Sequence, residues 1–240
     1  MKFRPVYYMI SGWPSLEKTR EMVRRYVEHG VTALQFDMPG ADPSRESAFI
    51  QQGMRHARAL YGEDYDAFMD ALRGIRCEFP ELEIHLVVYP DVVERIGLER
   101  FGDFCQEIGI YSVLPGDKDK MKYLSNRGIA TAAFIGYDTS DAAIELARAS
   151  DKHIVFVSNA NGRTQPREGL VTWAERIGYI RAHGVTAPIF GVTGIKTPEE
   201  LQQVRDAGAD GAYIGSIMMQ LWDNEPELWK LLDAFQAVAK

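Results

Sequence analysis

Five helix-stop glycines that each feed a short apolar strand, eight such strands alternating with amphipathic segments, and a capped strand-turn-helix-strand cradle near the C-terminus predict an α/β chain folded as an eight-fold βα (TIM) barrel. The length agrees, because 240 residues with 46% hydrophobic content bury a core of the size usual for one such domain, expected to span 1–240. A doubly wound open sheet would be expected to carry a glycine-rich dinucleotide turn after its first strand, and none follows residues 6–10.

The strands fall in order. Residues 6–10 form the first, directly after Met1-Lys2-Phe3-Arg4-Pro5, and 32–36 the second, released by the glycine of Glu28-His29-Gly30. The third is the apolar run at 84–88; Gly109 and Gly128 release the fourth at 111–114 and the fifth at 129–135. His153 opens the sixth at 153–158, and Gly184 releases the seventh at 187–191. That strand runs into Gly191 and Gly194; Thr197 then caps a helix with Pro198 at its first position and Glu200 completing a capping box. Gly208 stops that helix, and the eighth strand at 211–214 ends at Gly215-Ser216, where small residues let amide groups face an anion.

Composition narrows the function. Lys and Arg total 27 against 34 Asp and Glu, a net charge of -7 with the basic residues scattered, so nucleic acid and anionic membrane are poor partners. An anionic substrate must then be held by local dipoles and a few basic side chains. Cys77 and Cys105 have neither metal spacing nor the density of a secreted scaffold, and no export signal or long apolar segment is present, so a cytoplasmic protein is expected. No histidine-rich metal spacing, nucleophile elbow, Walker loop or strand-end Schiff-base lysine appears, so no cofactor is expected.

Strand alternation places Gln35 and Asp37 on one inward face, with Asp37 nearer the mouth, and lines up His85, Val87, Tyr89 and Asp91 on the third strand. Asp117 and Asp138 follow the next two strands. One such carboxylate is ordinarily a cap; a ring of them favours a polar site, for acid-base chemistry or weak metal binding. His85, a layer lower, reads as an interior hydrogen-bonded histidine. The segment Ser158-Asn159-Ala160-Asn161-Gly162-Arg163-Thr164 either completes the phosphate site, with Gly162 backbone and Arg163 as a cation, or is an ordinary surface loop.

The stretch Ala33-Leu34-Gln35-Phe36-Asp37-Met38-Pro39-Gly40-Ala41-Asp42-Pro43, together with residues 8–19, 86–89 and 194–216, resembles the tryptophan synthase alpha chain family over nearly the whole length. The resemblance implies a barrel that cleaves indole-3-glycerol phosphate to indole and glyceraldehyde 3-phosphate beside a beta chain. It also implies phosphate on the backbone of Gly194, Gly215 and Ser216. The matching catalytic positions depart from the family. Its essential glutamate falls at Gln35, whose amide has no titratable proton, and its second carboxylate at Glu46; its sixth-strand tyrosine falls at Val155, and Asp37 replaces a glycine.

A carboxylate lost at Gln35 is regained at Asp37, while Tyr8 and Tyr213 add bulk and hydroxyls to the pocket. The expectation is a smaller, more polar phosphorylated substrate, with Asp37 and Glu46 as the acid-base pair, Gln35 orienting it, and Tyr8, Tyr89, Asp91 and Tyr213 lining the pocket. The alternatives are a genuine alpha subunit and a non-catalytic phosphate-ligand barrel. A beta-like partner at Asp42-Pro43 follows from the resemblance, unless that loop serves as a lid.

Overall fold

In the computed structural model, described over residues 3–114, 118–148, 154–159 and 164–240, strands and helices alternate as the glycine junctions dictate. The order runs β1 (Arg4–Ile10), α1 (Leu16–Glu28), β2 (Ala33–Met38), α2 (Ala48–Tyr61), α3 (Asp66–Glu78), β3 (Glu83–Val88), α4 (Pro90–Ile96), α5 (Leu98–Glu107), β4 (Ser112–Leu114) and α6 (Lys118–Asn126). It continues with β5 (Ala132–Ile135), α7 (Asp141–Arg148), β6 (Ile154–Ser158), α8 (Trp173–Ala182), β7 (Ile189–Val192), α9 (Pro198–Asp206), β8 (Gly211–Ile214) and α10 (Glu225–Ala239). Strand order β4-β3-β2-β1-β8-β7-β6-β5 is the connectivity of the predicted eight-fold βα barrel. Among the described residues, no helix is long and apolar enough to cross a membrane.

The chain divides into two compact units. In the unit Tyr8–Thr131, β2 pairs with β3 in parallel from Ala33 opposite Glu83 to Met38 opposite Val88, and β3 pairs with β4 from His85 opposite Ser112. Parallel register keeps paired residues on one face, so Gln35, His85 and Ser112 form one interior level and Asp37 lies a level further toward the strand ends. Outside, α1 packs on α3, and Glu78 accepts from Arg20 Nε at 2.7 Å and from Arg24 Nε at 2.8 Å. Such exposed pairs contribute about 0–1 kcal/mol each, so the buried face of Met22, Val23 and Tyr26 holds α1 in place.

In the unit formed by Met1–Tyr7 and Ala132–Lys240, the first half of β1 pairs with β8, β8 with β7, β7 with β6 and β6 with β5, all parallel. Gly211 is obligatory here: a Cβ would lie 2.4 Å from the Arg4 carbonyl oxygen and 2.3 Å from the Phe190 ring. Gly211→Ala is expected to cost about 1–3 kcal/mol by overpacking, read as a lower urea midpoint; an unchanged midpoint would contradict this packing.

Two expectations need correction. Residues 129–131 do not extend β5: Ile129 donates its amide back to the Leu124 carbonyl, just after the turn at 127–128, and within 129–131 Thr131 alone pairs, as a single bridge with Val113. Asp91 is not a strand-end residue: β3 stops at Val88, and Pro90 starts α4 in the first-turn position that needs no amide proton, which puts Asp91 in the first turn of that helix.

Candidate active site

Asp37 lies near the end of β2, two residues beyond Gln35, and is fully enclosed, at 0% exposure. Its Oδ2 accepts the hydroxyl of Tyr8, from the neighbouring strand β1, and its Oδ1 accepts the Ser11 amide at 3.3 Å. Burial dominates its titration and pushes the carboxyl from 3.8 up to about 8; the Tyr8 and Ser11 hydrogen bonds pull it down, and negative charge at Glu46 adds to the rise. Burial, then the Asp37 charge, raises the Tyr8 phenol well above its ordinary range, so it stays a donor. A carboxyl poised near 8 can both give and take a proton at physiological pH.

Because the Tyr8 bond favours the charged carboxylate, Tyr8→Phe is expected to move the Asp37 titration upward by roughly one unit. An NMR titration of the Asp37 carboxyl checks this, and an unmoved inflection would show that the phenol does not govern that acid.

Gln35 lies on the same face two residues earlier, buried at 6% exposure, and no hydrogen bond within the described residues engages its amide. That leaves both its donor and its acceptor for a bound molecule. His85, at the same level, is interior as expected, with its ring 4.7 Å from that of Tyr111.

The second carboxylate enters on the loop after β2. Glu46 Oε1 accepts the Tyr89 hydroxyl at 3.0 Å, and Tyr89, just past β3, packs against Gly40, where a Cβ would lie 2.7 Å from its ring. Burial, with Asp37 and Glu46 nearby, raises the Tyr89 phenol far above its usual value, keeping it a donor. Asp91 braces the same loop by accepting the Ala41 amide at 2.8 Å, and Arg58 donates to the Tyr65 hydroxyl at 2.8 Å while Tyr65 donates to the Pro39 carbonyl at 2.8 Å. Gly40→Ala is expected to displace Tyr89 and release Glu46; a crystal structure of the variant with the Tyr89–Glu46 bond intact would contradict that dependence.

In the other unit, the predicted cradle has the predicted boundaries: Thr197 caps α9 with Pro198 in the first turn, and the Thr197–Glu200 capping box forms. The strain was not legible in advance. Thr193 has φ 65° and Gly194 φ 74°, and a left-handed conformation at a β-branched residue is a genuine outlier of the kind that clusters at ligand sites. The Thr193 hydroxyl accepts the Asn159 amide at 3.1 Å and lies 3.2 Å from Ser158 Oγ, tying the ends of β6 and β7 together. Among the described residues nothing lies within 4 Å of a Cβ built on Gly215, and Ser216 Oγ is 3.4 Å from Gln220 Nε2. Tyr213 is interior, its ring 4.8 Å from Phe156 and 5.6 Å from Phe190. Gly162, Arg163 and Asp117 lie outside the described residues.

The structure thus brings together Tyr8, Asp37, Glu46 and Tyr89 as linked pairs and turns Asp91 into a loop brace. Sequence reasoning missed Ser11, whose amide reaches Asp37, and Arg176, fully buried on α8. A signal for Arg176 existed: Trp173, Arg176, Ile177 and Ile180 repeat at helical spacing, placing a charge on an apolar stripe.

Comparison with known proteins adds the relatives. Residues 3–238 match the family model described as tryptophan synthase alpha chain. A tryptophan synthase alpha chain from Corynebacterium diphtheriae is 29% identical over 227 residues, 90% of this chain and 80% of the relative. One from Methanothermobacter thermautotrophicus is 25% identical over 224 residues, 90% and 82%. Among solved structures, tryptophan synthase subunit alpha from Legionella pneumophila str. Paris gives a TM-score of 0.83 at 20% identity, covering 99% of this chain and 92% of that one. The Campylobacter jejuni subunit gives 0.81 at 19%, covering 98% and 96%.

Proposed function

This chain belongs to the tryptophan synthase alpha chain family, whose members are lyases, and from that premise we propose that it is a lyase acting on a small phosphorylated substrate through Asp37. The observation that carries the reading is the buried Asp37 carboxyl, held by Tyr8 and Ser11 two residues beyond Gln35 on the same face; burial pushes it up to about 8.

In the retro-aldol direction, Glu46 takes the proton of the substrate hydroxyl, and the oxygen's electron pair forms the new carbonyl. The carbon–carbon bond breaks toward the departing carbon, and Asp37, neutral at pH 7, delivers its proton there. After product release Glu46 gives its proton to solvent and Asp37 takes one from it, which resets the pair for the next turnover. Tyr89 fixes Glu46, Tyr8 and Ser11 fix Asp37, and the Gln35 amide orients a substrate oxygen. Phosphate binds the backbone at Gly194, Gly215 and Ser216, and its binding energy goes into positioning. A beta-like partner would meet the loop after β2 at the exposed Asp42.

One observation favours the second reading, a genuine alpha subunit cleaving indole-3-glycerol phosphate: the family match runs nearly end to end. Assay of indole-3-glycerol phosphate beside short hydroxy-ketone phosphates separates the readings. Cleavage of the short esters without indole release supports the first. Indole release at ordinary enzyme rates establishes the second. Ligand binding without turnover leaves a non-catalytic barrel. Under either enzymatic reading, millimolar phosphate esters are expected to raise the melting temperature, by about 2.7 kcal/mol of stabilisation at a hundredfold excess over Kd; no shift would remove the phosphate site.

A further inference from the structure

Arg176 is 0% exposed on a helix face otherwise made of Trp173, Ile177 and Ile180. Its Nη1 donates to the carbonyl of Ser158, the last residue of β6. The guanidinium lies over two rings, 4.6 Å from the centroid of Trp173 and 4.8 Å from that of Tyr137. Its Nε and Nη2 are enclosed, and among the described residues they have no hydrogen-bond partner and no carboxylate pairs with the guanidinium.

Burial lowers the pKa of this group, yet a guanidinium stays protonated in proteins. A buried, unpaired charge with two unsatisfied donors is among the costliest arrangements a core can hold, and a charge of this kind calls for a counter-charge. The placement indicates which one. The residue that Arg176 caps, Ser158, has its hydroxyl 3.2 Å from that of Thr193, the strained neighbour of Gly194. The positive charge therefore sits two contacts behind the cradle, in a chain whose net charge of -7 otherwise repels anions.

We propose that Arg176 is the cation of the phosphate site, its enclosed charge acting from behind the Ser158–Thr193 pair on an oxyanion of a phosphate ester bound at the ends of β6 and β7. The inference rests on the phosphate reading of the Gly194 cradle. Its enclosure leaves that charge little screened by water, so it acts on the oxyanion across the intervening Ser158 and Thr193.

Calorimetric titration of inorganic phosphate into the wild-type protein, Arg176→Met and Arg176→Lys tests it. Arg176→Met is expected to bind at least about tenfold more weakly, and Arg176→Lys, which keeps the charge but loses the fork, to fall between. A merely structural role would lower the unfolding midpoint of ligand-free Arg176→Met and leave its phosphate affinity intact; the proposed role weakens binding in a protein that remains folded. If the Met variant does not fold, Arg176→Gln decides, since it can still reach the Ser158 carbonyl without carrying charge. Wild-type affinity in a folded Met or Gln variant would overturn the role of Arg176 and leave the cradle standing. Absence of phosphate binding by the wild-type protein would overturn both.

Discussion

Asp37→Asn is expected to lower turnover by about 10²–10⁴-fold, the usual worth of a positioned general acid or base, while leaving phosphate binding unchanged. The substitution preserves shape, its one remaining oxygen can accept the Ser11 amide, and its NH2 can donate to the Tyr8 oxygen, so the site should hold its geometry. Only the transferable proton is lost. Gln35 cannot take over, because an amide does not titrate, and Glu46 is engaged by Tyr89 on a separate loop. A variant with near wild-type turnover and normal phosphate affinity would move the chemistry away from Asp37. One with lost turnover and lost phosphate binding would point to misfolding.

The same substitution is expected to stabilise the protein in alkaline solution. An Asp whose folded value is about 8 against an unfolded value near 3.8 binds its proton more tightly in the native state. Its favourable contribution is complete below the unfolded value and is lost as pH climbs through the folded value. Between those limits the native state holds the extra proton, so stability falls with pH with a limiting slope of about 1.4 kcal/mol per unit. Asp37→Asn removes this dependence. The gap between variant and wild type should therefore widen from pH 4 to about 8 and then level off, as read by urea unfolding across pH. Parallel curves would mean that burial does not keep Asp37 protonated.

Much of this was legible in the sequence where the cause is local. A helix-stop glycine or a Thr-Pro-Glu-Glu cap acts within a few residues, so Gly208, Thr197, Pro198 and Glu200 mark real boundaries. Alternation along β2 likewise fixed Gln35 and Asp37 on one face. Depth was not legible: enclosure of Asp37 requires Tyr8, 29 positions away, and Ser11, 26 away, to converge on it. Asp91 was misplaced because an apolar run does not announce its last residue, and Pro90 ends the strand by starting a helix. The left-handed turn at Thr193 is imposed by tertiary ties to Ser158 and Asn159 against the local preference of a β-branched residue. Arg176 broke an apolar stripe in plain view, but which groups it meets depends on β6 and on Tyr137, and neither is near it in the chain.

The proposed chemistry turns on a neutral, buried acid at Asp37. A ¹³C NMR titration of the side-chain carboxyls, with the Asp37 resonance assigned by its absence from Asp37→Asn, measures that acid directly. An inflection near 8 is the expected result; an inflection at or below the ordinary aspartate value of about 4 would contradict the account.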